Sequence, residues 1–146
     1  MKLSAIAPIA LAGSTAAKVY SRCDAAYALR HTCGFSSSQI PDWTCLVANE
    51  SSYNTGAKGG PNYDGSYDYG FFQINDYYWC YATSPSSATK YNDCNINCSK
   101  LIDSSITDDC KCADKIYKRH GFSAWYGWQN KCKGKDVSSY VSGCKY

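Results

Sequence analysis

The order of patterns along this chain predicts a disulfide-rich α+β domain. Helical spacing comes first, then a Gly-, Asn- and Tyr-rich stretch with a hairpin signal, then helical spacing again. Ten cysteines in 146 residues, behind an apolar leader, point to one small stapled domain in an oxidising compartment. No internal repeat, low-complexity tract or Pro/Gly/Ser linker divides it.

Residues 1–17 read as a secretory leader. Lys2 supplies the positive start, Ala5 to Ala12 a short apolar run, and Gly13-Ser14-Thr15-Ala16-Ala17 the small residues before a cut. The run is too short to span a bilayer. The expected mature domain is residues 18–146, secreted and extracellular. Within it, Ala25, Ala26, Leu29 and Cys33 share one helical face, and Gly34 stands where that helix should stop. A second helix is announced by Pro41 near its start and Asp42 in its first turn. Its stripe is Trp43, Leu46, Val47 and, unexpectedly, the carboxylate of Glu50. Between Ser51 and Tyr78 the composition turns polar, and Asp64-Gly65 between tyrosine-rich flanks predicts an antiparallel hairpin. A third helix follows from Ile106, Cys110, Ala113 and Tyr117, with Thr107 as its expected N-cap and Asp108 and Asp109 in its first turn. A short aromatic helix then holds Trp125 and Trp128.

Charge excludes some partners. The formal net charge is +3, and loss of Lys2 with the leader lowers it by one. A mildly basic chain suits an anionic surface but lacks the basic blocks of a nucleic-acid binder or the basic amphipathic helix of a membrane-active peptide. Zinc–thiolate chemistry lacks paired C-x-x-C units, and His31 and His120 are not spaced as ligands. The cysteines therefore read as up to five bridges, whose pairing this count leaves open.

Two carboxylates stand in opposed settings. Glu50 lies among apolar neighbours near a helix C-terminus, where desolvation and the negative end of the macrodipole both disfavour its charge. Asp68 lies in a polar hairpin beside Ser66, Tyr67, Gln73 and Asn75, where hydrogen bonds can hold it ionised. Such a pair suits glycosidic cleavage, one acid for the leaving oxygen and one anion for the cation-like carbon. The plainer alternative is that Glu50 reaches solvent and Asp68 caps a turn.

The run Trp43-Thr44-Cys45-Leu46-Val47-Ala48-Asn49-Glu50-Ser51-Ser52-Tyr53-Asn54-Thr55 resembles the stretch around the catalytic acid of the c-type (chicken-type) lysozymes. Asp64-Gly65-Ser66-Tyr67-Asp68-Tyr69-Gly70-Phe71-Phe72-Gln73-Ile74-Asn75 resembles the stretch holding their second carboxylate. The likeness extends from Lys18 to Tyr146. It implies a lysozyme-like fold, a mainly helical lobe and a small antiparallel sheet lobe flanking a cleft. It also implies hydrolysis of the β-1,4 bonds between N-acetylmuramic acid and N-acetylglucosamine in bacterial peptidoglycan, by a retaining mechanism and as a monomer. By that resemblance Glu50 would be the general acid and Asp68 the nucleophile or stabiliser. By the same resemblance Trp125 would wall the acid, Gln73 and Asn75 would bond saccharide and orient Asp68, and Trp79 would be a platform for a sugar ring. Tyr78 sits where some relatives carry a second tryptophan. Trp43 and Trp128 read as core.

The family's bridge pattern implies Cys23–Cys144, Cys45–Cys132, Cys80–Cys98 and Cys94–Cys112. Cys33 and Cys110 are extra, and most simply pair with each other. The stretch from Lys100 to Asp109 resembles the calcium elbow of α-lactalbumins and some lysozymes: Asp103, Asp108 and Asp109 as carboxylate ligands, with carbonyls of Lys100 and Ser105. The alternative is that Asp108 and Asp109 merely complement a helix N-terminus. Catalysis itself requires no cofactor; Ca²⁺ would be structural. The rival function is a non-catalytic saccharide-binding or α-lactalbumin-like protein, but such relatives typically lose one or both carboxylates, and this chain keeps both.

Overall fold

The computed structural model describes residues 16–83 and 88–146, so the assigned leader falls outside it except for Ala16 and Ala17. Its elements are α1 (Arg22–His31), α2 (Ile40–Ser51), β1 (Lys58–Gly59), β2 (Asp68–Tyr69), β3 (Ile74–Asn75), α3 (Thr107–His120) and α4 (Tyr126–Lys131), with 3-10 turns between several of them. Among the described residues no helix is long and apolar enough to cross a membrane.

Each helix forms for local reasons and is then held by what its apolar face meets. The Ser21 hydroxyl accepts the Asp24 N–H at 3.2 Å, satisfying one free donor at the start of α1. Ala25, Ala26 and Leu29 turn inward, and Gly34 takes its left-handed conformation (φ +73°) just past the end. In α2 Pro41 occupies the first turn, where its missing N–H goes unneeded. Ser52 and Tyr53, both left-handed at φ 53° and 63°, then turn the chain away just past the helix end, two residues beyond Glu50. The N-cap expected at Thr107 is corrected. Thr107 is already helical, and its N–H points to the hydroxyl of Ser105 at 3.4 Å, an acceptor that stands outside the helix.

The sheet is antiparallel in the order β1-β2-β3, and Asp68 faces Gly59 on one side and Asn75 on the other. Its strands are only two residues long, in keeping with a stretch rich in Gly, Asn and Asp. The turn at Asp64-Gly65 forms as expected, with the Gly65 N–H bonded to the Asn62 carbonyl at 2.9 Å. A second turn runs from Gly70 to Gln73. A side chain at Gly70 would run into the Leu101 carbonyl, so the glycine lets this turn pack against the Cys98–Leu101 turn.

Trp43, fully buried, is the hub of the core. Phe35 stacks on it at 4.2 Å between centroids, while Phe72, Phe122 and Trp125 present T-shaped contacts at 4.8 to 5.7 Å. Each such pair adds about 0.5–1.5 kcal/mol beyond area burial. Trp128 is half-buried and bonds Asp42 through its indole N–H at 2.9 Å. The five bridges are Cys23–Cys144, Cys33–Cys110, Cys45–Cys132, Cys80–Cys98 and Cys94–Cys112. The extra pair ties the end of α1 to the first turn of α3.

Candidate active site

A cleft of about 820 Å³ opens between the helices and the sheet. Glu50, Asp68, Gln73, Asn75, Tyr78, Trp79 and Trp125 all line it. Helical spacing puts Glu50 on the stripe of α2, one residue before its end, and the sharp left-handed exit leaves its carboxyl facing the cavity. Burial raises its pKa above the usual carboxylate value, the Asp68 charge raises it further, and the Gly127 N–H works in the opposite sense. That N–H donates to Glu50 Oε2 at 2.8 Å. Gly127 belongs to α4, and a Cβ there would lie 2.5 Å from the same oxygen. The approach therefore needs glycine.

Trp125 supplies an apolar wall. Its indole N–H donates to the Phe72 carbonyl at 2.8 Å, which fixes the ring while it packs edge-on against Trp43. Asp68 is held differently. Its Oδ1 accepts from the Asn75 amide and its Oδ2 from the Asn62 amide, each at 2.9 Å. Asn75 can do this because β2–β3 register sets it directly opposite. Both asparagine amides also reach the Ser66 hydroxyl, at 2.9 and 3.1 Å, so the three side chains form one network around the carboxylate.

One expectation needs correction, and two residues of the site were not foreseen. Gln73 does not orient Asp68: its amide donates to the carbonyls of Ala57 and Gly70, at 3.1 and 3.0 Å, and so fastens β1 to the second turn. Asn62, not singled out from sequence, takes that place; its only signal was a polar side chain in the turn before Asp64-Gly65. Gly127 had no signal either.

At the cleft rim Tyr78 is 49% exposed, whereas Trp79 is 8% exposed with the Arg119 guanidinium 4.9 Å from its ring. Elsewhere, Asp103, Asp108 and Asp109 do not converge. No group of three His, Cys, Asp or Glu side chains among the described residues is arranged to hold a metal ion. Asp108 and Asp109 are adjacent on α3, so they point about 100° apart; Asp108 is exposed and Asp109 is fully buried. Asp103 Oδ1 accepts the Ser105 N–H at 3.1 Å. Neither carboxylate oxygen of Asp109 makes a hydrogen bond of good geometry, although the backbone N–H groups of Asp109 itself and of Phe71 face it. Burial pushes its pKa up to about 8; the charges of Asp103 and Asp108 act in the same sense, and the backbone N–H groups of Asp109 and Phe71 oppose it.

Comparison with known proteins supplies the family. A model described as the C-type lysozyme/alpha-lactalbumin family matches residues 18–144. The chain is 50% identical over 127 residues to a lysozyme of Galleria mellonella, covering 87% of this chain and 100% of that protein. It is 47% identical over 139 residues to lysozyme c-1 of Anopheles gambiae, covering 95% and 94% of the two chains. To the milk isozyme of lysozyme C from Canis lupus familiaris it is 44% identical over 130 residues, covering 87% and 98%.

Proposed function

This chain belongs to the C-type lysozyme/alpha-lactalbumin family, and from that premise we propose that it is a bacteriolytic glycosidase. Its substrate would be the β-1,4 bond between N-acetylmuramic acid and N-acetylglucosamine in peptidoglycan. The observation that carries this reading is the contrast within the cleft: a buried carboxyl with a raised pKa, and a second carboxylate gripped by two amides. An α-lactalbumin-like binding protein would have no need of that pairing.

In the proposed reaction Glu50 gives its proton to the glycosidic oxygen as the bond from the anomeric carbon breaks. Asp68 meets the positive charge growing on that carbon, as nucleophile or as counter-charge. Water then adds its hydroxyl to the carbon and returns a proton to Glu50, restoring both groups. The Gly127 N–H fixes Oε2 and leaves the other oxygen to carry the proton. Asn62 and Asn75 hold Asp68 so that neither oxygen must reorient as charge develops. Wall turbidity assays with Glu50→Gln and Asp68→Asn test this. The first should abolish lysis and the second remove most of it, in proteins that fold normally. Full lysis by Glu50→Gln would overturn the assignment.

Secretion with cleavage after Ala17 belongs to the same reading, and a secreted protein starting at Lys18 tests it by mass spectrometry. A structural Ca²⁺ is also proposed. The donors are all oxygen, as that ion requires, and the buried carboxylate of Asp109, with no hydrogen bond of good geometry, is one a cation would satisfy. Asp103, Asp108, Asp109 and the carbonyls of Lys100 and Ser105 would hold it once Asp103 and Asp108 turn toward Asp109, a movement that the ion's charge would favour. Melting in millimolar CaCl₂ should exceed melting in EDTA, and the gap should vanish in Asp108→Asn. Identical wild-type curves would leave these aspartates as helix-terminal charges only.

A further inference from the structure

Three tyrosine rings meet at the rim of the cleft. Tyr78 lines the cavity; Tyr77 and Tyr91 do not. Tyr91 lies nearly parallel to Tyr78, 7° between planes and 6.0 Å between centroids. Tyr77 packs edge-on against Tyr78 at 4.6 Å and against Tyr91 at 6.0 Å. Despite 49% and 48% exposure, these rings are not loosely hung. The backbone from Tyr91 to Cys94 is laced to that from Tyr77 to Trp79: the Tyr91, Asp93 and Cys94 N–H groups bond the carbonyls of Tyr77, Tyr78 and Trp79 at 2.9 to 3.0 Å. The same segment steadies the neighbouring ring, since Asp93 pairs with Arg119 at 2.6 Å and Arg119 lies over Trp79.

We infer that Tyr91 is a positioning residue for saccharide binding: by stacking on Tyr78 it pre-sets that ring as a stacking plane at the cleft mouth. This rests on the glycan-cleaving reading of the cleft. An exposed aromatic side chain on its own must be ordered when a sugar stacks on it, and that ordering weakens binding. Here the ordering is done in the free protein by ring–ring contact and a paired backbone. The hydroxyl of Tyr91 has no part in the effect, so the contribution belongs to the ring.

The test is binding of the β-1,4 N-acetylglucosamine trimer by titration calorimetry, with wall-lysis kinetics alongside. Tyr91→Ala should weaken trimer binding about two- to tenfold, the range set by freeing one side chain, and the kinetic loss should fall on KM more than on kcat. Tyr91→Phe keeps the stacked ring and should restore wild-type affinity. In a Tyr78→Ala background, Tyr91→Ala should add no further loss, because the ring it positions is gone. Circular dichroism verifies that each variant is folded. Wild-type affinity in Tyr91→Ala, or an equal loss in the Tyr78→Ala background, would overturn the inference while leaving the glycosidase reading standing. Failure of the wild type itself to bind the trimer would overturn both.

Discussion

Removing the bridge between Cys33 and Cys110, by replacing both with alanine, should leave a folded and active protein of lower stability. The two cysteines are 77 residues apart, but the loop they close is shorter than that, because Cys45–Cys132 already ties the chain together. The shortest remaining path runs 12 residues from Cys33 to Cys45, across that bridge, and 22 residues back from Cys132 to Cys110. Closing a loop of about 34 residues restricts the unfolded chain by about 4 kcal/mol in the chain-entropy picture, and measured bridges commonly give about 2–4. For a domain of this length that corresponds to a fall in Tm of about 8–15 °C. Guanidinium and thermal unfolding of the double variant measure the change, and wall lysis at 25 °C measures function. Lysis should persist because neither cysteine lines the cleft. An unchanged midpoint would refute the loop-entropy reasoning. Loss of lysis in a variant with normal circular dichroism would show that the bridge also shapes the site.

Other expectations follow from the site and its surroundings. Asn62→Ala and Asn75→Ala each strip one donor from Asp68 and should cut kcat about ten- to a hundredfold, as for lost bonds to a charged group, with steady-state kinetics as the check. Gly127→Ala puts a methyl 2.5 Å from Glu50 Oε2, displacing the carboxyl from the N–H that is the one contact lowering its pKa; the alkaline limb of the pH–activity profile should move upward, and an unmoved limb would contradict this. In EDTA, the pKa of Asp109, raised to about 8, makes the native state hold a proton that the unfolded chain releases near pH 4. Stability should therefore fall as pH rises between about 4 and 8, by at most about 1.4 kcal/mol per unit, and then level off; Asp109→Asn should flatten the slope in pH-dependent denaturant melts.

What was legible in the sequence depended on short-range order. Helical period exposed Glu50 as a carboxylate on an apolar stripe, glycines and Asp64-Gly65 marked chain reversals, and the cysteine count called for bridges. These are properties of neighbours along the chain, and the stretches around Glu50 and Asp68 added the family by resemblance. Tertiary structure decided the contacts that give those residues their setting. The partners of Asp68 depend on strand register, which sets Asn75 opposite it and swings Asn62 back from a turn. The Gly127 N–H reaches Glu50 from 77 residues away, and only packing of α4 against α2 brings it there. Gln73 and Thr107 were misjudged for the same reason: a polar side chain can bond any group within about 3 Å, and which group lies there is settled by how distant segments pack. The acidic loop shows it most sharply: Asp108 and Asp109 are neighbours in sequence, but the turn of α3 leaves Asp108 exposed while Asp109 lies buried beside Gly70.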